Sequence, residues 1–361
     1  MSKKKKLVIV VPSLVAGGAE RVMSFIANNI SKEHFETTLW IAGVPESTVY
    51  NVDSIKVKYF NKSRVLNAIP SFFWSLRKEK PDLVVSTLSY LNTAMGLLSV
   101  FFPKIKFIGR EATVHNVDKN EKGTKKTKRI GAYIPLNFGY RFLDIIICQS
   151  NDMYNDLNLN YGIPNSKLKT INNPITDNFK LEKRLFDRKD YFQFITVGRL
   201  SKQKGHKRII SVLAKLNIPF KYTIIGDGPE KDAVFKLIEQ LGLSENIIHI
   251  PYTNEVSKYL AKSDLFLQGS YFEGFPNCLL ESSAMGTPIV GFQAPGGIDE
   301  IIEDGINGFI AEDEEKYAYY ILKSINNHEW DPVIISKSIT DKFNKDKILK
   351  EYESLFLELL G

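Results

Sequence analysis

Short runs rich in β-branched and aromatic residues alternate along the chain with longer stretches whose apolar positions recur every three to four residues. In the first half the strand-like runs are 7–11 (LVIVV), 37–43, 56–60, 82–87 (DLVVST), 106–111 (KFIGRE) and 144–149 (DIIICQ), and helical spacing lies around 18–31, 66–79, 92–101 and 151–161. Residues 169–179 (KTINNPITDNF) read as a linker, since Pro174 biases Asn173 away from helix. The alternation then restarts. Strand-like runs at 194–200, 222–228, 247–252, 264–270 and 287–292 alternate with helices from about 205, 229, 276 and 298. A last amphipathic helix from Asp341 carries Ile348, Leu349, Tyr352, Leu355 and Leu359 on one side. Alternating strand–helix units imply parallel sheets covered by helices. The expectation is an α/β chain of two Rossmann-like domains, residues 1–175 and 176–340, with 341–361 as a terminal helix.

Two segments imitate membrane signals. Lys3, Lys4, Lys5 and Lys6 followed by LVIVVPSLVAGG have the layout of a signal peptide. Pro12 interrupts the apolar run, however, and helical spacing begins directly after the glycines, so a buried first strand, a turn and a helix are expected instead. Residues 83–103 carry no charge over a bilayer-spanning length. Their Ser, Thr, Asn and Gly content is too polar for a lipid-facing helix, and strand, turn and helix account for them.

Composition adds exclusions. With 361 residues, 43% hydrophobic and 25% charged, the chain is long enough for two cores and is neither fibrous nor disordered. Its two cysteines, Cys148 and Cys278, stand far apart and no His/Cys spacing suits zinc, which points to a reducing, cytoplasmic setting. Charge changes the picture more. Residues 1–180 hold 26 basic against 14 acidic side chains and residues 181–361 hold 22 against 27. The basic half suits an anionic partner or simply a lysine-rich surface. No nucleic-acid-binding signature accompanies it, so no nucleic acid is expected.

Three motifs sit at predicted strand ends. Gly17-Gly18-Ala19-Glu20-Arg21 follows the first strand and opens a helix, where backbone N–H groups and the helix dipole favour an anion. The same residues also fit a plain tight turn, and neither a G-x-G-x-x-G nor a phosphate-loop lysine motif is present. In TVGRLSKQKGHKRI, Arg199 and Lys204 stand between a strand and a helix and suit a diphosphate clamp, although basic residues also collect at helix termini. The most informative is EGFPNCLLESSAMGTPIV, in which Glu273 and Glu281 lie in an apolar run around a helix start near Asn277. Carboxylates there accept hydrogen bonds from sugar hydroxyls, and the turn's amides donate to phosphate.

Together these motifs resemble the retaining glycosyltransferases of the GT-B fold, family four. The resemblance spans nearly the whole chain and implies two Rossmann-like domains facing each other across a central cleft, with the terminal helix returning to the first. It implies transfer of a sugar from a nucleotide-sugar to an acceptor hydroxyl with retention. The first domain would take the acceptor and the second the nucleotide. Arg199 and Lys204 would bind the diphosphate. Glu273, with the backbone around Gly274, Phe275, Pro276 and Asn277, would hold the donor sugar, Leu280 would lie in the same donor site, and Glu281 would hold the ribose. Tyr252 and Thr253 would meet the base, and Gly17 and Gly18 the phosphates. Arg110, Glu111 and His115 would lie on the acceptor side. The expected donor is a UDP-linked hexose or N-acetylhexosamine. The expected acceptor is a lipid-linked oligosaccharide of bacterial surface polysaccharide assembly, reached at an anionic inner membrane surface.

A departing diphosphate needs its charge neutralised. No Asp-x-Asp pair is present for a metal, so Arg199, Lys204 and helix ends are expected to do this with no metal or other cofactor. Glu273 is the carboxylate available to an oxocarbenium-like transition state, and a front-face course is the one that the resemblance favours. The rival readings are a nucleotide-sugar epimerase on the same fold and a non-catalytic scaffold.

Overall fold

A computed structural model describes residues 3–15, 17–45, 50, 52, 54–115, 136–181, 190–326 and 330–361. The basic stretch 118–129 lies outside the described residues. The chain divides into two compact units, residues 1–174 with 345–361, and residues 175–344.

The first unit is built from β1 (Lys5–Val11), α1 (Gly18–Asn29), β2 (Phe35–Ile41), β3 (Lys56–Tyr59), α2 (Val65–Glu79), β4 (Leu83–Thr87), α3 (Ser89–Ser99), β5 (Lys106–Arg110), α4 (Leu136–Tyr140), β6 (Ile145–Cys148), α5 (Asn151–Asn155) and β7 (Leu168–Thr170). Its seven strands are all parallel, in the order β3-β2-β1-β4-β5-β6-β7. β1 lies between β2 and β4 with both faces buried, which is why LVIVV is continuously apolar rather than alternating.

The second unit holds β8 (Phe192–Val197), α6 (His206–Leu213), β9 (Phe220–Ile225), α7 (Lys231–Gln240), β10 (Ile247–Ile250), α8 (Val256–Lys262), β11 (Leu265–Gln268), α9 (Asn277–Ala284), β12 (Ile289–Phe292), α10 (Ile298–Ile301), β13 (Gly308–Ala311), α11 (Glu314–Asn326) and α12 (Pro332–Phe343). Its strand order, β10-β9-β8-β11-β12-β13, reverses direction between β8 and β11. The first sheet reverses in the same way between β1 and β4. Ligands of open α/β sheets bind at such a reversal, where loops leaving adjacent strands diverge.

The last helix, α13 (Lys345–Leu360), belongs to the first unit. Ile348, Leu349, Tyr352, Leu355 and Phe356 are buried along it. It begins at Lys345 rather than Asp341, because Asn344 adopts an extended conformation and bridges to Ile175. Residues 169–179 are not an exposed linker throughout, since they share β7, and Ile171 and Asn173 are buried. Ser89 to Leu91, which precede the helical spacing expected from 92, belong to the first turn of α3 behind Leu88, whose positive φ of 72° makes the corner. No described helix is long and apolar enough to cross a membrane.

Candidate active site

In the second unit two loops meet beside the reversal point. One leaves β8 through Gly198 and Arg199, makes a tight turn over Lys202–Lys204, and enters α6 at Gly205. The other leaves β11 and runs from Gly269 to Pro276 before α9. They touch backbone to backbone. A Cβ on Gly205, whose φ is +61°, would stand 1.8 Å from the Gly269 carbonyl oxygen, so only glycine fits there. The Tyr271 amide donates to the Gln203 carbonyl at 2.8 Å, and Gln203 Nε2 donates to the Phe272 carbonyl at 2.9 Å.

This lacing brings Lys204 and Glu273 together. Lys204 Nζ donates to Glu273 Oε1 at 2.6 Å, and the Ser270 hydroxyl donates to the same oxygen. Glu273 is 5% exposed, and its backbone is clamped from behind. Its amide donates to the Pro295 carbonyl at 2.8 Å, and a Cβ on Gly296 would fall 2.2 Å from its own carbonyl oxygen. Burial pushes the Lys204 ammonium towards neutrality, but attraction to the Glu273 carboxylate outweighs this and holds its pKa above the ordinary lysine value.

α9 begins directly behind this pair. Pro276 precedes it and offers no side-chain cap, so its first-turn amides are the kind that an anion satisfies. Glu281 is 6% exposed one turn inside α9. Arg199 is exposed in the β8 loop, with no side-chain partner among the described residues. A cation pair, a buried carboxylate and an uncapped helix start thus surround the carboxyl ends of β8 and β11. Such a set neutralises a diphosphate and holds hydroxyls.

Some of the expected donor-side residues have side chains engaged elsewhere. Phe275 and Leu280 turn their side chains into the hydrophobic core, Phe275 against Phe343 with ring centroids 5.4 Å apart, so neither side chain is placed to meet a ligand. The Thr253 hydroxyl accepts from the Glu255 amide at the foot of α8, while Tyr252 is exposed and donates to Asn254. The supporting residues Gln203, Ser270 and Arg208 gave no signal in the sequence beyond Ser270 lying three positions before Glu273. Arg208 donates from Nε to the Gly269 carbonyl at 2.6 Å and from a terminal nitrogen to the Ser270 carbonyl.

In the first unit a second polar group forms beyond β4 and β5. Glu111 is fully enclosed and accepts from the Ala112 amide at 2.8 Å, from Ser89 Oγ at 3.0 Å and from the Tyr140 hydroxyl. His115 Nε2 lies 3.0 Å from it. Burial alone would raise the Glu111 carboxyl, but His115 and these hydrogen bonds hold it below the ordinary glutamate value. Arg110 does not face an acceptor. Its buried guanidinium donates from Nε to the Tyr352 hydroxyl at 3.0 Å and from a terminal nitrogen to Asn173 Oδ1, fastening α13. Nor is the Gly17 amide open to phosphate here, because it donates to the Tyr50 hydroxyl at 2.7 Å. Gly18 is exposed as the first residue of α1. Among the described residues no three His, Cys, Asp or Glu side chains come together as a metal site.

Comparison with known proteins agrees with this layout. Residues 177–338 match the family described as Glycosyl transferases group 1, and residues 16–179 match Glycosyltransferase Family 4. Over 338 residues the chain is 29% identical to the N-acetylgalactosamine-N,N'-diacetylbacillosaminyl-diphospho-undecaprenol 4-alpha-N-acetylgalactosaminyltransferase of Campylobacter jejuni, covering 89% of this chain and 90% of that one. It is 26% identical to the lipopolysaccharide core biosynthesis glycosyltransferase LpsE of Rhizobium meliloti, covering 94% and 95%. Anabaena HepE, solved with UDP and glucose, superposes with a TM-score of 0.82 at 19% identity, covering 98% of this chain and all of that one. The lipopolysaccharide glycosyltransferase WaaG superposes at 0.76 and 16% identity, covering 97% and 99%. The chain belongs to the family-four, group 1 glycosyltransferases of the GT-B fold.

Proposed function

We propose that this glycosyltransferase moves a hexose or N-acetylhexosamine from a UDP-sugar to a hydroxyl of a lipid-linked oligosaccharide in surface polysaccharide assembly, with retention and without a metal. The observation that carries the reading is the Lys204–Glu273 pair beside the uncapped start of α9. When a donor enters, Lys204 exchanges the carboxylate for the diphosphate, and Arg199 and the α9 amides share the remaining charge. Glu273, released from the ammonium, takes sugar hydroxyls and faces the positive charge that develops at the anomeric carbon. Stabilising charge where it develops is where catalytic gain arises. Glu281 holds the ribose.

Two relatives support the finer choices. HepE was solved with UDP and glucose, which favours a uracil base. The Campylobacter relative is named for a diphospho-undecaprenol acceptor and an alpha linkage. An alpha product is what retention yields from an alpha-linked donor. A lipid-linked acceptor places the reaction at the inner membrane face, where the basic half of the chain meets anionic lipid. Each surface lysine or arginine there adds about 1 kcal/mol.

Thermal shifts with UDP, GDP, ADP, dTDP and CMP, each with and without EDTA, test the donor side. A ligand at a hundredfold excess over its Kd stabilises by about 2.7 kcal/mol. The expected result is a selective UDP shift that EDTA leaves unchanged. Two variants then separate the roles. Lys204→Met should weaken UDP binding about tenfold or more, the loss of one charge-assisted contact. Glu273→Gln should bind UDP at least as well as the wild type, because the competing carboxylate is gone, yet lose transfer. No shift with any diphosphate would sink the transferase reading in favour of a scaffold, and a shift abolished by EDTA would sink metal independence.

A further inference from the structure

α2 carries apolar residues on two faces. Val65, Ala68, Phe72 and Leu76 are buried against the first sheet. Leu66, Pro70 and Trp74, spaced to fall on one side of the helix, form a second stripe that faces outward, with the half-buried Phe73 between it and the core. Leu66 is 73% and Trp74 66% exposed. The stripe continues onto the turn that follows α3. The Phe73 ring lies 5.7 Å from Trp74, 5.8 Å from Phe101 and 5.2 Å from Phe102, and Phe101 is 67% exposed. Isolated exposed apolar side chains are ordinary, but a contiguous aromatic patch marks an interaction surface.

The surroundings identify the partner. Lys62, Arg64, Arg77, Lys78, Lys80 and Lys104 are exposed around the stripe, and none is paired to a carboxylate among the described residues. The acid within α2, Glu79, is held by Lys58 at 2.6 Å. An apolar stripe containing Trp and Phe, rimmed by unpaired cations, matches the boundary of an anionic bilayer. The aromatic rings suit the level of the headgroups, and the cations suit the phosphates. A second copy of this chain would bring like charge against like.

We propose that the stripe of Leu66, Trp74 and Phe101 inserts into the headgroup boundary of an anionic phospholipid membrane, rather than the basic half merely resting on it. The proposal rests on the lipid-linked acceptor reading, since it supplies a docking surface for that substrate, but it stands or falls by a separate measurement.

Full-length protein is mixed with phosphatidylcholine vesicles and with phosphatidylcholine–phosphatidylglycerol vesicles, at low salt and at about 1 M salt, where screening reaches within about 3 Å. Trp40 is buried and Trp330 lies in the second unit, so Trp74 is the tryptophan positioned to respond. Insertion predicts a blue shift and quenching by brominated lipid with the anionic vesicles, both lost in Trp74→Phe. It also predicts binding that high salt weakens without abolishing. The triple variant Leu66→Ser, Trp74→Ser, Phe101→Ser should lose affinity for anionic vesicles about tenfold or more, with its UDP thermal shift intact as proof of folding. Complete release by salt with unchanged Trp74 emission would overturn insertion. So would a vesicle-free blue shift that grows with protein concentration, which would assign the stripe to a second copy. A normal UDP shift alongside either result would leave the donor reading standing.

Discussion

Lys204 must stay charged to serve a diphosphate although it is mostly enclosed, and Glu273 is what keeps it charged. Its neighbour two positions on shows the opposite outcome. His206 is buried beside Lys204, and neither ring nitrogen makes a well-formed hydrogen bond. Burial, only partly offset by the nearby Arg199 backbone, pulls its imidazole down to about 4 from the usual 6.5. The unfolded chain therefore binds a proton between those values that the folded chain refuses. Stability is unaffected by this group above pH 6.5 and falls as pH drops towards 4, by about 3 kcal/mol in all. His206→Leu should flatten that slope. Urea unfolding at about pH 7 and about pH 4.5 should show a smaller loss for the variant than for the wild type, and equal losses would clear His206 of the effect. The individual charges of this site were legible in the sequence because Glu273 and Glu281 stand in an apolar run that a solvated surface does not explain. Their pairing was not. Lys204 and Glu273 are 69 positions apart, and only the adjacency of β8 and β11 brings them together.

Among the elements, α6 does more than follow the β8 loop. Arg208, in its first turn, reaches across to the β11 loop. There its guanidinium bonds the Gly269 and Ser270 carbonyls and stacks over Tyr271 at 4.2 Å and Phe292 at 3.9 Å. Burial pulls its pKa below the ordinary arginine value, with the facing tyrosines and Glu314 opposing that pull. The loop that it braces carries Ser270, which in turn holds Glu273. Arg208→Met keeps the stem but leaves two carbonyls without their donor, at a cost of about 1–3 kcal/mol. With Glu273 less well placed, kcat should fall about a hundredfold, the scale of a misplacement near 1 Å, while UDP affinity changes little. Arg208→Lys should not restore the rate, because one ammonium cannot span both carbonyls and stack as well. A wild-type kcat in either variant would show that the brace is dispensable. Element boundaries were the weaker part of the sequence reading for a related reason. β7 (LKT) and β13 (GFIA) have three and four residues, too few to display a period. Their strand character comes from pairing with β6 and β12 rather than from their own residues.

On the scale of the whole molecule, the strand order of the second unit repeats that of the first six strands of the first unit, to which β7 is added at the edge, and alternating strand–helix patterns made the shared α/β plan legible in the sequence. The ownership of the last helix was not legible in the same way, because periodicity says that α13 has an apolar side and not where that side goes. Four of its five buried side chains, Ile348, Tyr352, Leu355 and Phe356, join the core of the first unit, each contributing about 1.5–3 kcal/mol. That burial anchors the helix. The Tyr352 hydroxyl adds a more selective contact, since it accepts from an Arg110 guanidinium that is wholly out of water and already has one terminal nitrogen without a partner among the described residues. Tyr352→Phe keeps the apolar packing and leaves a second guanidinium N–H unsatisfied, which costs about 1–3 kcal/mol. Because core burial exceeds this, α13 should stay docked but open more often, and its amides should exchange roughly five- to a hundredfold faster. Hydrogen exchange resolved over 345–360 checks this, with amides of the second unit as the internal control. Arg110→Met in the Tyr352→Phe background should recover much of the loss, since an apolar side chain of similar length needs no acceptor. Unchanged exchange in Tyr352→Phe would mean that packing alone holds the helix. Faster exchange that Arg110→Met leaves uncorrected would mean that the hydroxyl matters through something other than the buried charge.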